Sequence, residues 1–177
     1  MDFEKVVKNR RSIRDFKDAE ISEESVIKII DAGRWAPSAG NAQDIRFIII
    51  KDRNTKTRLA KAAFSQNYLI DAPVVITVCS DPSQLERKYL DRGKNFYSLV
   101  DGAAAIQNMM LEAENLGIGS CWIGAFNDKE VRDVLMIPEN VRVIGIIPLG
   151  YYSKKPHPPF KTDLHNLIYL EKWGKTS

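Results

Sequence analysis

Arg10-Arg11-Ser12-Ile13-Arg14 puts three guanidinium groups and a hydroxyl within five residues. Such a set can meet several oxygens of a phosphate dianion at once, because each guanidinium offers a planar fork of N–H donors. A second segment, Ala36-Pro37-Ser38-Ala39-Gly40-Asn41-Ala42-Gln43, mixes small residues with amide side chains. Small residues let backbone approach a flat ligand closely, and amides read its polar edge with both donors and acceptors. Alone, the first segment reads more readily as a solvated basic face or a general anion patch. The second reads equally as a loop, since Pro, Ser, Gly and Asn end helices and make turns. Their pairing and order point to a phosphorylated, aromatic cofactor.

The rest of the chain offers no self-sufficient catalytic set. No Gly-x-Gly-x-x-Gly follows a strand, and no Gly-Lys-Ser/Thr phosphate loop occurs, so a stable dinucleotide or nucleotide site of those kinds is unsupported. His157 sits among Pro156, Pro158 and Pro159, and His165 lies near the end; both read as surface or packing residues. Ser12 and Ser38 have no His or Asp partners in local sequence that would suggest a triad. No Cys/His spacing resembles a zinc site, and no metal is expected. No catalytic residue is assigned. That fits an enzyme whose cofactor carries the difficult step.

Length and composition bound the setting. The chain has 177 residues, 44% hydrophobic and 28% charged, which suits one soluble globular domain over 1–177. The net charge is only +3, with acidic and basic residues interleaved, so a nucleic-acid role is not favoured. A basic nucleic-acid binder built on Arg10, Arg11 and Arg14 is the weakest alternative. No apolar run reaches the ~20 residues a membrane span requires. Met1-Asp2-Phe3-Glu4-Lys5 lacks the apolar core of a secretory signal. Cys79 and Cys121 each sit in an apolar run and read as buried free thiols. A reducing cytoplasm is the expected location.

The elements that must position the polar segments follow from periodicity and caps. Asp2 to Asn9 reads as a short helix delivering the Arg cluster. Ser22-Glu23-Glu24 opens a stronger helix, with a capping hydroxyl and acids in the first turn. Val26, Ile29, Ile30 and Gly33 form its buried stripe, and Pro37 stops it. Arg46–Ile50 reads as a strand, 54–64 as a helix, and Pro73–Cys79 as a β-branched central strand. The longest helical pattern runs from Tyr97 to Leu116, with a stripe at Val100, Ala103, Ala104, Gln107, Met110, Leu111 and Glu114. Its Ala and Gly content suits a central or interface helix. Ser120–Gly124 reads as a short strand or tight turn, Asn127 caps another helix, and Val141–Leu149 is a strand. These orders predict a helix-flanked mixed sheet. The apolar residues Leu164, Leu167, Ile168 and Tyr169 near the end either dock on their own domain or reach a partner subunit.

The chain resembles the nitroreductase-like family of FMN-dependent oxidoreductases. Arg10–Arg14 matches the family's Arg-x-Ser-x-Arg/Lys start. Residues 36–43 match its Ala-Pro-Ser-x-x-Asn-x-Gln loop. Asp71-Ala72-Pro73, Leu116-Gly117-Ile118-Gly119 and Trp122-Ile123-Gly124 follow in the expected order, so the resemblance runs from about Glu4 to Ile168. It implies an α+β sandwich, with a central mixed, mainly antiparallel sheet flanked by helices, in an intertwined homodimer. It implies FMN at the interface, contacted by both chains, with the segment of about 151–177 reaching the partner subunit.

Carried onto this sequence, the resemblance implies that Arg10 and Ser12 bind the ribityl phosphate region, with Arg11 assisting. Arg14 would lie nearer the pyrimidine side, where its charge would stabilise the anionic reduced ring. Pro37, Ser38 and Asn41 would reach the flavin bound mainly by the other subunit. Ile123 and Gly124 would approach the ring with backbone groups. Lys161 would be a late phosphate ligand, and Gln66 a candidate for the ring's polar edge. The chain departs from the family at Asp44-Ile45, where Pro-Trp is common, and at Phe160-Lys161-Thr162, which offers one Lys where many members have a basic pair. The stretch between Cys79 and Asn95, with Arg87, Tyr89 and Arg92, falls where members vary and often build a substrate lid.

The implied activity is ping-pong hydride transfer from NAD(P)H through FMN to an electron-poor small molecule such as a nitroaromatic or quinone. No ribose-reading motif separates NADH from NADPH. Alternatives on the same scaffold are a flavin-dependent reductive dehalogenase, a flavin-fragmenting enzyme and a flavin-handling or storage protein.

Overall fold

A computed structural model describes residues 2–175; Met1, Thr176 and Ser177 lie outside the described residues, and with them the last two positions of the expected 151–177 segment. The helices are α1 (Phe3–Asn9), α2 (Glu23–Arg34), α3 (Arg53–Ala62), α4 (Tyr68–Asp71), α5 (Ser83–Arg92), α6 (Ser98–Asn115) and α7 (Asp128–Leu135). The strands are β1 (Ile45–Ile50), β2 (Val74–Ser80), β3 (Gly119–Ser120) and β4 (Arg142–Gly150). Helix starts follow local chemistry. The side chains of Asp2, Ser22, Asp52 and Asn127 accept from backbone N–H groups in the first turns of α1, α2, α3 and α7. Each such cap contributes about 1 kcal/mol.

The four strands form one sheet in the order β1-β2-β4-β3, and every pair is antiparallel. The parallel element of the expected mixed sheet is an isolated bridge between Ser12 and Ser120. Central strands β2 and β4 are buried on both faces. Val74, Ile76 and Val78 point to one core with α2 and α6, while Val75 and Cys79 point to a second core with α3 and α7. The register shifts between Val78 and Cys79, leaving Ile144 as the extra residue opposite them. Such a bulge flips the alternation. Ile144 therefore joins the α6 side, next to Val143 on the other.

One expectation is corrected here. The inward face of α6 carries Asp101, Gly102, Ala105, Ile106, Met109 and Ala113, whereas Val100 is 46% exposed and Gln107 is exposed. The inward face is built for close approach. A Cβ on Gly102 would sit 2.7 Å from Ile144 side-chain atoms, and one on Gly33 of α2 would sit 2.8 Å from Met109 Cγ. The sequence-based stripe thus lies partly on the open face. The stretch after Cys79 is helical: α5, broken at Leu90 (φ 50°), runs into a π turn over Gly93–Tyr97 and then α6.

The end of the chain does not dock on its own core. Every residue from 156 to 175 is exposed, with Phe160 at 91% and Trp173 at 90%. Its last firm anchor is the ion pair between Lys155 Nζ and the buried Glu114 of α6 at 2.5 Å. No helix among the described residues is long and apolar enough to cross a membrane.

Candidate functional site

Helix α1 hands directly to the basic segment, with Arg10 as its C-cap. The chain then pairs with β3: Ile13 N–H donates to the Ser120 carbonyl at 2.9 Å, and the Ile13 side chain is buried. That anchor holds Arg10, Arg11, Ser12 and Arg14 around a cavity of ≈ 550 Å³, whose opposite wall carries His157 and Lys161. Arg11 is fixed by Nη1 donating to the carbonyls of Lys8 (2.7 Å) and Arg10 (2.8 Å). Its Nε is buried without a partner. The side chains of Arg10 and Lys161 make no ion pair or hydrogen bond among the described residues. His157 is a cavity residue that its Pro-rich context hid in the sequence.

A polar chain leads away from Arg14. Burial pushes the Tyr68 hydroxyl above its ordinary pKa and neighbouring Cys121 adds to this, while a hydrogen bond with Arg14 opposes it. Tyr68 donates to Gln66 Oε1 at 2.5 Å. Gln66 Nε2 donates to the carbonyls of Ala63 (2.9 Å) and Ala125 (3.1 Å). Gln66 and Tyr68 therefore brace the loop that carries Ile123 and Gly124. Nothing in the sequence singled out Tyr68. The two loop residues differ. Ile123 is buried, and its N–H and carbonyl are both bonded to Ile146 at 3.0 Å. Its N–H and carbonyl are thus both engaged with β4. Gly124 is exposed, and a Cβ there would meet nothing within 4 Å.

Pro37 and Ser38 lie elsewhere, on a second cavity of ≈ 310 Å³ that shares no residue with the first. The loop here is held in an unusual shape. Gly40, Asn41 and Gln43 all have positive φ (55°, 54° and 49°), a region costly for residues other than Gly and tolerated best by Asn. Ser38 Oγ accepts from Gln43 N–H at 3.0 Å. Asp101 of α6 accepts from Ala39 N–H, and Lys88 of α5 donates to the Gly40 carbonyl at 3.2 Å. A Cβ on Gly40 would collide with the Tyr89 hydroxyl. Asn41 is left exposed at the tip.

The first cavity fits the phosphate end of FMN: Arg10 and Lys161 without partners among the described residues, and a buried orphan donor at Arg11. Gly124 fits the close approach of a ring, since its own chain does not require a glycine there. Of the second group, Pro37 and Ser38 line the other cavity and Asn41 is exposed.

A model of the nitroreductase family matches residues 7–71 and 64–151. An Archaeoglobus fulgidus protein with the provisional name NADH dehydrogenase/NAD(P)H nitroreductase is 36% identical over 175 residues, 96% of this chain and 97% of that protein. The FMN reductase (NAD(P)H) of Bacillus subtilis is 27% identical over 98% of this chain and 76% of its own length. The solved structure of the NADPH:FMN oxidoreductase from Vibrio harveyi, complexed with NAD+, superimposes with a TM-score of 0.87 at 25% identity, covering 99% of this chain and 79% of that one.

Proposed function

This chain belongs to the nitroreductase family, and from that premise we propose that it is an FMN-dependent oxidoreductase, oxidising NAD(P)H and reducing an electron-poor acceptor such as a nitroaromatic or quinone. The observation that carries the reading is a basic cavity in which Arg10 and Lys161 have no partner among the described residues, beside the orphan Arg11 Nε. Bound FMN would supply the two-electron chemistry that the side chains lack. Arg10, Ser12 and Lys161 bind its phosphate, and Arg11 lends its free Nε. Arg14, steadied by Tyr68, puts positive charge at the pyrimidine edge. Gln66 holds the Gly124 loop in place, and Gly124 leaves room for the ring.

The site is completed by a second copy of the chain. Pro37 and Ser38 line a cavity that shares no residue with the basic cavity, which supports a ligand reached from two chains. A homodimer brings one protomer's loop to its partner's basic cavity. The exposed apolar segment after about residue 151 of the 1–177 unit and the open face of α6 give the dimer its contact surface. We place the protein in the cytoplasm, in keeping with its two buried free thiols.

The donor and the acceptor use one pocket in turn. Steady-state reciprocal plots should therefore be parallel; intersecting lines would show a ternary complex and sink this scheme. The prior experiment is the visible spectrum of the purified protein after FMN addition and gel filtration. Flavin bands retained at about one per chain support the reading, since a single specific site saturates stoichiometrically. A colourless protein that cannot retain FMN removes it.

A further inference from the structure

Two buried carboxylates, Asp44 and Asp101, sit behind the Ser38–Gln43 loop. Asp101, in the first turn of α6, is only 5% exposed, and its two oxygens accept from Ala39 N–H at 2.9 and 3.1 Å. Asp44, 2% exposed, follows the same loop. Its Oδ2 accepts from the Ser80 hydroxyl at the end of β2, and its Oδ1 is buried without any partner. Asp44 neighbours Asp101 closely enough that its carboxylate raises the Asp101 pKa. An unpaired oxygen of a buried carboxylate is costly, and a second carboxylate beside it makes it more so.

The surrounding charges do not neutralise the pair. Arg34 and Arg46 line the cavity next to Asp101. Arg34 is bound to Asp31 at 2.6 Å, and Arg46 donates to the Gln43 and Ile45 carbonyls at 2.9 Å. Lys88 is on the Gly40 carbonyl. Asp81, whose N–H donates to the Asp44 carbonyl at 2.9 Å, is an acid held by Ser83. What remains is a proton. Burial, opposed by the Ala39 N–H and reinforced by Asp44, pushes the Asp101 carboxyl up to about 6.

We propose that Asp44 and Asp101 hold one proton between them, and that this proton fixes the loop that carries Ser38 and Asn41. One O–H···O bond between the two carboxyls gives the orphan Asp44 Oδ1 its partner. It leaves Asp101 able to accept from Ala39. When the proton leaves for solvent, two anions face each other in a dry pocket. Opening the loop and admitting water relieves them, and the strained φ values at Asn41 and Gln43 favour release. These are positioning residues. The consequence for flavin rests on the function proposed above; the proton and the loop do not.

The test begins with apoprotein. Infrared spectra across pH should show the carbonyl band of a buried carboxylic acid, lost as pH rises through about 6. At about pH 5, where wild type keeps the band, it should be absent in Asp44→Asn, whose amide donates permanently to Asp101. Ala39 amide exchange, measured by NMR and corrected for the intrinsic base dependence, should accelerate over the same range in wild type only. FMN affinity is then compared between wild type and Asp44→Asn. The FMN phosphate ionises near pH 6 and strengthens binding in both, so the ratio is read: it should turn against wild type by about tenfold from about pH 5 to about pH 8. Asp101→Asn, with an amide that serves both neighbours, gives the same flat behaviour if the first variant fails to fold. Absence of the band, or Ala39 exchange with the same pH profile in wild type and variant, overturns the proposal. A titrating band and loop in a protein that never binds FMN would instead overturn the function.

Discussion

The amide of Ile13 donates to the Ser120 carbonyl at 2.9 Å, and this single bond joins the basic segment to the loop that ends in Gly124. Residues 107 apart in sequence are thereby held side by side at the end of the sheet, because β3 is the edge strand with a free side to offer. The phosphate end and the ring end of the proposed flavin site are therefore parts of one rigid piece. Substitutions at either end should act on binding rather than on folding.

Arg10 gives the plainest case. Its guanidinium has no partner among the described residues, so Arg10→Ala should leave the melting temperature nearly unchanged. FMN affinity, read by fluorescence quenching, should fall by about 1–3 kcal/mol for a lost charged hydrogen bond. Unchanged affinity would remove Arg10 from the phosphate site.

Gly124 separates space from stability in the same way. A side chain there meets nothing in its own chain, so Gly124→Val should fold with an unaltered melting curve. If a ring stacks against this position, FMN binding should weaken by about 1–3 kcal/mol from steric crowding. Normal binding would place the ring elsewhere.

Tyr68→Phe removes the hydroxyl shared by Arg14 and Gln66. Arg14 loses a restraint, and Gln66 Oε1 loses its donor. The midpoint potential of bound FMN should become more negative while FMN affinity changes little, since positive charge near the ring favours the reduced form. Spectroelectrochemistry of wild type and variant decides it. An unshifted potential would leave Tyr68 as packing alone.

Asp101 also makes folding stability depend on pH. Its carboxyl titrates near 6 in the fold, against a reference of 3.8. The folded state therefore holds the proton more tightly. Stability from this group is fully present below about 3.8 and is lost as pH rises through about 6. Urea midpoints of apoprotein should decline over that window, and less so in Asp101→Asn.

Much of the architecture was legible because local chemistry and burial agree. Ser22 and Asn127 cap the helices their types announce, and β2 is β-branched because both its faces are buried. Three things were not legible. The inward face of α6 mixes Ile106 and Met109 with Asp101, Gly102, Ala105 and Ala113, and these polar and small residues blur its stripe against Val100 on the open side. Helix α5 is polar almost throughout and breaks at Leu90, so its apolar stripe is short, with Leu85 its buried residue. Asp44 and Asp101 look like surface acids, because a buried carboxyl shows only through the neighbours that the fold supplies. At the site, Arg10, Arg11, Ser12, Arg14 and Lys161 meet as their types suggest. Tyr68 and His157 join them through contacts that span the chain.

The separation of the Ser38–Asn41 loop from the basic cavity has a consequence for heredity. In the proposed dimer, each site takes its cations from one polypeptide and its loop from the other. An allele damaged at Arg10 and an allele damaged at Asn41 would then fall into different complementation classes. Co-expressed, the two inactive products would assemble mixed dimers in which one site receives both defects and the other receives neither. Activity would return from parents that have none, whereas two alleles both damaged in the cavity would stay silent together.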